Sequence, residues 1–241
     1  MTRLKLMFSH ISLQSIAVFF FIGLAICLTT GPWWIWFVMP LGIGAQMLNE
    51  YSLHRFVFHL PPPKKQWQFD LLYQAHYGHH DFPTNHGLFF VPIWVALPML
   101  VFNFCVVFFI MFLIVPDYAF VLASAIVLVG GIGTFMGYEW FHMTAHLNLP
   151  KTWVERHVTT LHNQHHFRDF GKWFHVSPGG QIIDRAMGTA IDREALKSKQ
   201  RIEFIRTLGM RPDDHRLVSA RERFATKYDL SEKEITQAAR V

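Results

Sequence analysis

Ten of the fifteen histidines in this 241-residue chain stand at spacings that suit metal ligation. His142 and His146 are four apart. His162, His165 and His166 read His-x-x-His-His, and the same pattern recurs at His76, His79 and His80. His54 and His59 precede them, five apart. On an α-helix, residues three and four apart share a face, so the pair and each triple can aim their imidazoles together. Neutral imidazole is the commonest metal ligand and suits iron, zinc, copper and nickel. Cys27 and Cys105 each lie inside an apolar run and no Cys-x-x-Cys occurs, so the ligands must be nitrogen and oxygen. Ten imidazoles exceed what one ion holds. Two ions with about five ligands each, keeping open positions, fit better than a closed structural zinc site, which takes only four. His54 and His59 pose a difficulty. Five residues rotate an α-helix by about 140°, so both reach one site only if the helix frays or bends before Pro61-Pro62-Pro63.

The elements that carry these residues are apolar. Hydrophobic residues make up 51% of the chain and charged ones 16%, which points to a membrane protein. No Lys or Arg occurs between Gln66 and Pro150, whereas 17 of the 22 follow from Lys151 onward. The net charge of +5 therefore belongs to the tail. It suits anionic lipid headgroups, and no nucleic acid is expected because the aromatics sit in apolar runs. Ile11–Thr30, Trp33–Leu48, Leu88–Val115 and Tyr118–Phe141 read as four spans, with Trp33, Trp34 and Trp36 as an interfacial belt. A cleaved leader is the competing reading of the first, disfavoured because a second apolar run follows at once. Gly133 and Gly137 would let a neighbouring helix approach closely. Arg3, Lys5, Arg55, Lys64, Lys65 and the tail lie on one side of such a chain, which puts both termini in the cytoplasm. The expected fold is all-α: four transmembrane helices as two hairpins, with a cytosolic, helical, histidine-rich cap. Residues 1–188 form the membrane domain and 189–241 a basic helical tail, with a capping box at Ser231–Glu234. Trp33 to His54 covers roughly 31 Å and Tyr118 to His142 roughly 36 Å as helix. Both helices deliver their first histidine to the same membrane edge.

In this order, His54-x4-His59, His76-x2-His79-His80, His142-x3-His146 and His162-x2-His165-His166 resemble the fatty acid hydroxylase superfamily of integral membrane enzymes. Tyr138-Glu139-x-x-His142-x-x-x-His146 is similar to the Tyr-Asp-x-x-His-x-x-x-His of the fatty acid 2-hydroxylases. The resemblance spans about Asn49 to Gly188. It implies a dinuclear metal centre, iron first and zinc as the alternative, with all ten histidines as ligands. It implies activation of O2 and hydroxylation of a C–H bond of a lipid chain drawn from the bilayer. The sequence departs from the eukaryotic 2-hydroxylases in having no cytochrome b5 domain and no His-Pro-Gly-Gly. Ser177-Pro178-Gly179-Gly180 is a partial echo. Electrons would come from a separate ferredoxin- or cytochrome-type protein.

Glu139 stands three residues before His142 and Glu50 four before His54. Each can accept a hydrogen bond from a ligand imidazole and fix its tautomer. Only one Glu-x-x-His occurs, against the two of a ferritin-like di-iron bundle. Asp81 and Asp169 follow the two triples and are weaker candidates. His86, His157 and His175 lie outside the pattern, and His10 and His215 are expected at the surface. Sterol oxidation, carotenoid hydroxylation or desaturation remain alternatives within the same superfamily. A zinc hydrolase lacks its His-Glu-x-x-His. A metal transporter should place ligands mid-membrane, where these apolar runs have no histidine.

Overall fold

The computed structural model describes residues 2–239, and every regular element in it is helical. The helices are α1 (Arg3–Met7), α2 (Ile11–Thr30), α3 (Met39–Leu53), α4 (Gln66–Leu72), α5 (Gly78–Asp81), α6 (Ile93–Ile114), α7 (Ala119–Ala123), α8 (Ile132–His146), α9 (Trp153–Phe167), α10 (Gln181–Ala186), α11 (Arg193–Thr207), α12 (His215–Phe224) and α13 (Glu232–Ala238). The chain divides into two compact units, 1–190 and 191–241.

In the first unit, three helical stretches are long and apolar enough to cross a membrane: Ile11–Thr30, His86–Ile114 and Pro116–His146. The expected span at Trp33–Leu48 is different in kind. Trp33–Val38 is a 3-10 helix, and the α-helix begins only at Met39, with Pro40 in its first turn where the missing N–H costs nothing. The last long stretch is the axis of the bundle. Its π-helical segment Ser124–Gly131 is buried along its whole length and packs between α2 and α3.

Close approach of α3 to the axial helix is set by small residues. A Cβ on Gly42 would overlap the Ile126 carbonyl, and one on Gly130 would come within 2.6 Å of the Met39 carbonyl. Gly133 and Gly137, expected in this role, do not fill it within the chain. A Cβ on Gly133 meets only Phe20, at 3.5 Å, and one on Gly137 meets nothing within 4 Å.

α9 begins with a capping box. Thr152 Oγ1 accepts from Glu155 N at 3.2 Å, and Glu155 Oε2 accepts from Thr152 N at 2.7 Å. Glu155 Oε1 also accepts from Arg3 at 2.7 Å and from Trp140 Nε1 at 3.1 Å, which fastens the start of α9 to α1 and α8. In the second unit each helix has its own cap: Asp192 for α11, Asp214 for α12, and the box at Ser231–Glu234 for α13.

A Gly42→Val chain should lose about 1–3 kcal/mol of stability through overpacking against Ile126. Gly137→Ala should match or exceed the wild type, because Ala gains up to about 1 kcal/mol over Gly in a helix. Thermal melting of the detergent-solubilised chain checks both.

Candidate metal centre

The histidines gather where the end of α3, α5, the end of α8 and α9 meet. His54, His76, His79, His142, His162, His165 and His166 are each at most 4% exposed. The ten patterned residues form two groups of five, and within each group the facing nitrogens lie within 4.8 Å of one another. One group is His54, His59, His76, His80 and His165. The other is His79, His142, His146, His162 and His166.

Local backbone geometry explains the partition. His54–Phe58 is a π-helical turn closed by the His59 N–H donating to the His54 carbonyl at 3.1 Å. A π turn returns to the same face after five residues rather than four. It brings the His54 and His59 rings to 5.0 Å apart, so neither fraying nor proline is needed. A second π turn, Tyr73–Tyr77, carries His76. Within each His-x-x-His-His the outer residues, four apart, enter one group and the middle residue enters the other. His76 and His80 join the first group and His79 the second; His162 and His166 join the second and His165 the first. The two groups touch where His80 and His166 stack at 4.1 Å.

The nitrogens cannot be satisfied by hydrogen bonding to each other. His76 Nε2 has three Nε2 neighbours: His80 at 2.8 Å, His54 at 3.0 Å and His59 at 3.1 Å. A ring nitrogen carries one proton or one lone pair, enough for a single bond. In the other group, His142 Nε2 lies 2.9 Å from His79 Nε2, and His146 Nε2 lies 2.8 Å from His162 Nε2. His165 Nε2 and His166 Nε2 are buried with no partner at all. A divalent cation in each group is the species this donor set fits, since neutral imidazole nitrogens then all face a positive charge.

Backbone carbonyls fix the tautomers in the first group. His54 Nδ1–H donates to the Phe174 carbonyl and His165 Nδ1–H to the Lys172 carbonyl, the latter at 2.7 Å. Each leaves its Nε2 bare for a metal. Trp173, between the two carbonyls, adopts a left-handed φ of 52°, a conformation that costs a non-glycine residue energy and is held by its surroundings. Its N–H donates to the Thr189 carbonyl at 2.9 Å and its indole N–H to Gln164 Oε1 at 2.9 Å.

Two buried carboxylates hold that loop. Asp184 accepts from the Phe174 and His175 N–H groups at 2.9 and 3.1 Å, and from Thr189 Oγ1 at 2.8 Å. Glu50 accepts from the Val176 and Ser177 N–H groups at 2.6 and 3.1 Å, and from Ser177 Oγ at 2.5 Å. Glu50 therefore does not orient a ligand imidazole, as its spacing from His54 suggested. Its nearest histidine is His175, whose Nδ1 lies 3.0 Å away. Glu139 departs from expectation too: it accepts from Val91 N at 2.9 Å and pins the start of α6. Both carboxylates are taken up by backbone N–H donors of the neighbouring loops instead. Asp81 accepts from Tyr73 Oη at 2.8 Å. His10 is half-buried against Phe90, not at the surface. Asp184 and the 172–177 loop had no signal in the sequence beyond the Ser177-Pro178-Gly179-Gly180 echo.

Burial, and then the charge each imidazole would feel from its neighbours, keeps the ligands outside the spans neutral. His54, His76 and His162 are held well below the usual histidine range, His59 is brought down to about 3, and His165, chiefly by burial, to about 4.

A family model described as fatty acid hydroxylase matches residues 39–189. The chain is 27% identical over 163 residues to a dihydroceramide fatty acyl 2-hydroxylase of Arabidopsis thaliana, covering 63% of this chain and 60% of that protein. It is 29% identical over 140 residues to the fatty acid 2-hydroxylase of Homo sapiens, covering 57% and 35%. It is 26% identical over 170 residues to the ceramide very long chain fatty acid hydroxylase SCS7 of Saccharomyces cerevisiae, covering 69% and 41%. The chain thus spans roughly a third to three fifths of the length of these relatives. Among solved structures, full-length scs7p, of which only the hydroxylase domain is visible, superposes with a TM-score of 0.60 at 21% identity. The overlap covers 75% of this chain and 64% of that one, and it shows a shared fold.

Two predictions concern the ions themselves. Elemental analysis of the purified chain should find about two ions per molecule, the number that ten imidazoles in two groups can hold. His165→Ala and His162→Ala should each retain less metal, while His157→Ala, outside both groups, should match the wild type. The second prediction is acid lability. Between the usual histidine value of about 6.5 and the native values, the unfolded chain binds more protons than the folded one. Stability therefore falls as pH drops from about 6.5 toward 4, and metal retention falls with it. Melting temperature and bound metal across a pH series check both signs.

Proposed function

The chain belongs to the fatty acid hydroxylase family, and on that premise we propose that it is a membrane-bound, O2-dependent lipid hydroxylase. The single observation that carries this reading is the pair of buried five-histidine groups opening onto an apolar cavity through His54. The cavity measures about 110 Å³. From His54 and Phe58 it runs down α3 to Gly42, along α6 from Val91 to Val107, and along the axial helix from Tyr138 to Ile126. His54 to Gly42 alone is roughly 18 Å of helix. That depth and lining suit a lipid chain held with one carbon near the histidines.

The reaction is RH + O2 + 2 e⁻ + 2 H⁺ → ROH + H2O, so two electrons enter for each turnover. Two bound metal ions, iron by preference, would supply the redox chemistry that activates O2. The ligand set is His54, His59, His76, His80 and His165 for one and His79, His142, His146, His162 and His166 for the other. The chain's own residues do the rest. The carbonyls of Lys172 and Phe174 hold two ligand rings in one tautomer. Glu50 and Asp184 hold those carbonyls. Leu53, Phe58, Val91 and Phe135 wall the cavity and keep water from the reacting carbon. A methylene offers no polar handle, so the position of attack is set by distance and shape.

The family and the three long apolar stretches support a membrane location. The Trp33–Leu53 segment, which spans from the aromatic belt to the metal groups, serves as the fourth crossing. The basic residues preceding α2, between α3 and α6, and after α8 support a cytoplasmic side for the metal groups and both termini. A separate ferredoxin- or cytochrome-type protein delivers the electrons. The relatives' 2-hydroxylase activities favour acyl-chain hydroxylation, next to a carbonyl, over desaturation or sterol and carotenoid oxidation.

The test is isotopic. Membranes containing the chain, given ¹⁸O2, reductant and an electron carrier, should yield hydroxylated lipid carrying one ¹⁸O. His165→Ala and His142→Ala should yield none. Label from H2¹⁸O in place of ¹⁸O2, or full turnover by either variant, would overturn the assignment.

A further inference from the structure

Three side-chain amides interrupt the apolar lining of the cavity: Gln46 and Asn49 on α3, and Asn103 on α6. Each is half-buried. None has a hydrogen-bond partner among the described residues. An unpaired amide inside a membrane-embedded bundle is strongly disfavoured, so these three are costly unless the occupant of the cavity pairs with them. Gln46 and Asn49 are three residues apart and share the face of α3 that leads through Leu53 to His54. Along the helix Asn49 lies roughly 8 Å and Gln46 roughly 12 Å from His54. Asn103 lies roughly 15 Å into α6 from Ile93.

A plain saturated chain would leave all three amides unpaired along its middle. A hydroxyl both donates and accepts, and a carboxamide answers both roles; a ketone only accepts. We propose that Gln46, Asn49 and Asn103 make the cavity selective for a lipid chain that already carries a hydroxyl in its middle, well removed from the carbon presented to the histidines. This rests on the cavity being the lipid site. It adds that the preferred substrate is the product of an earlier mid-chain oxygenation or hydration. The reaction that supplies it must therefore place an oxygen on the chain before this chain acts.

The test is competition for binding to the full-length chain in detergent, with radiolabelled stearic acid displaced by unlabelled stearic, 12-hydroxystearic or 12-oxostearic acid. 12-Hydroxystearic acid should bind about ten-fold more tightly than stearic acid, the size of one well-made hydrogen bond. The oxo acid should fall between them. Gln46→Leu and Asn103→Leu should each reduce the preference and raise stearic acid affinity, because an apolar side chain suits a plain chain. The wild-type comparison stands even where a variant fails to fold. Equal or tighter binding of stearic acid by the wild type overturns the inference and leaves the lipid site intact; the amides then hold water alone. Failure of every fatty acid to bind overturns both.

Discussion

The structure depends on the convergence of neutral imidazoles in a largely buried space. Several of their ring nitrogens sit about 3 Å apart, and His76 Nε2 faces three others, more than one proton can serve, so some of them present lone pairs to one another. Without a cation, those lone pairs repel. Protonation would relieve one contact only by placing positive charges side by side in a buried site, and burial opposes that. The arrangement therefore makes physical sense around positive charge supplied from outside the chain. It also explains why residues from four separate stretches are packed so tightly: each group is complete only when the stretches meet.

The exchange of one histidine between the two halves adds a constraint. Four histidines of each group come from one half of the membrane unit and the fifth from the other. His165 crosses to the group built by His54, His59, His76 and His80, and His79 crosses the opposite way. Neither group can form while the halves are apart. The 172–177 loop strengthens the coupling, because it belongs to the second half yet binds the first half's His54 through the Phe174 carbonyl. Glu50 on α3 in turn holds Val176 and Ser177 of that loop. A buried carboxylate that satisfies backbone N–H groups resists loss more than an exposed pair would, since its removal leaves several buried donors unpaired.

What the sequence made legible was whatever repeats on a helical period. The histidine spacings, the apolar runs and the Ser231 capping box all follow from side chains three or four apart. What it hid was whatever broke that period or used the backbone. The division of each His-x-x-His-His between two groups follows from how the two halves face each other, which spacing within one helix does not encode. The π turn at His54–Phe58 resolves a spacing that an α-helix forbids, and no residue type announces it. The carbonyls of Lys172 and Phe174 carry no sequence signature, because every residue has one. Glu50 and Glu139 stood at the right distance along the chain for an imidazole, but the adjacent loops offered more N–H donors. The Trp33–Leu48 run is apolar enough for a span, yet its first six residues wind as 3-10 helix and leave a shorter α-helix than composition implied.

The π-helical segments settle a conflict between packing and chemistry. A helix that crosses the bundle must present small residues where it meets its neighbour and histidines where the two groups form. On one unbroken α-helix those two faces are fixed by sequence separation alone. In the axial helix, Gly130 must face Gly42, while Tyr138 and His142 must face the cavity and the second histidine group. A π segment winds less per residue, so it turns the downstream face relative to the upstream one without ending the helix. The segment Ser124–Gly131 lies between the start of the helix and its histidines, where such a rotation is useful. The π turn after α3 does the same on the facing helix: Gly42 meets the axial helix, and His54 and His59 then both reach the first group. Two facing helices, each with a packing glycine before a π turn or within a π segment and ligands beyond it, leave the cavity between them continuous with the histidines.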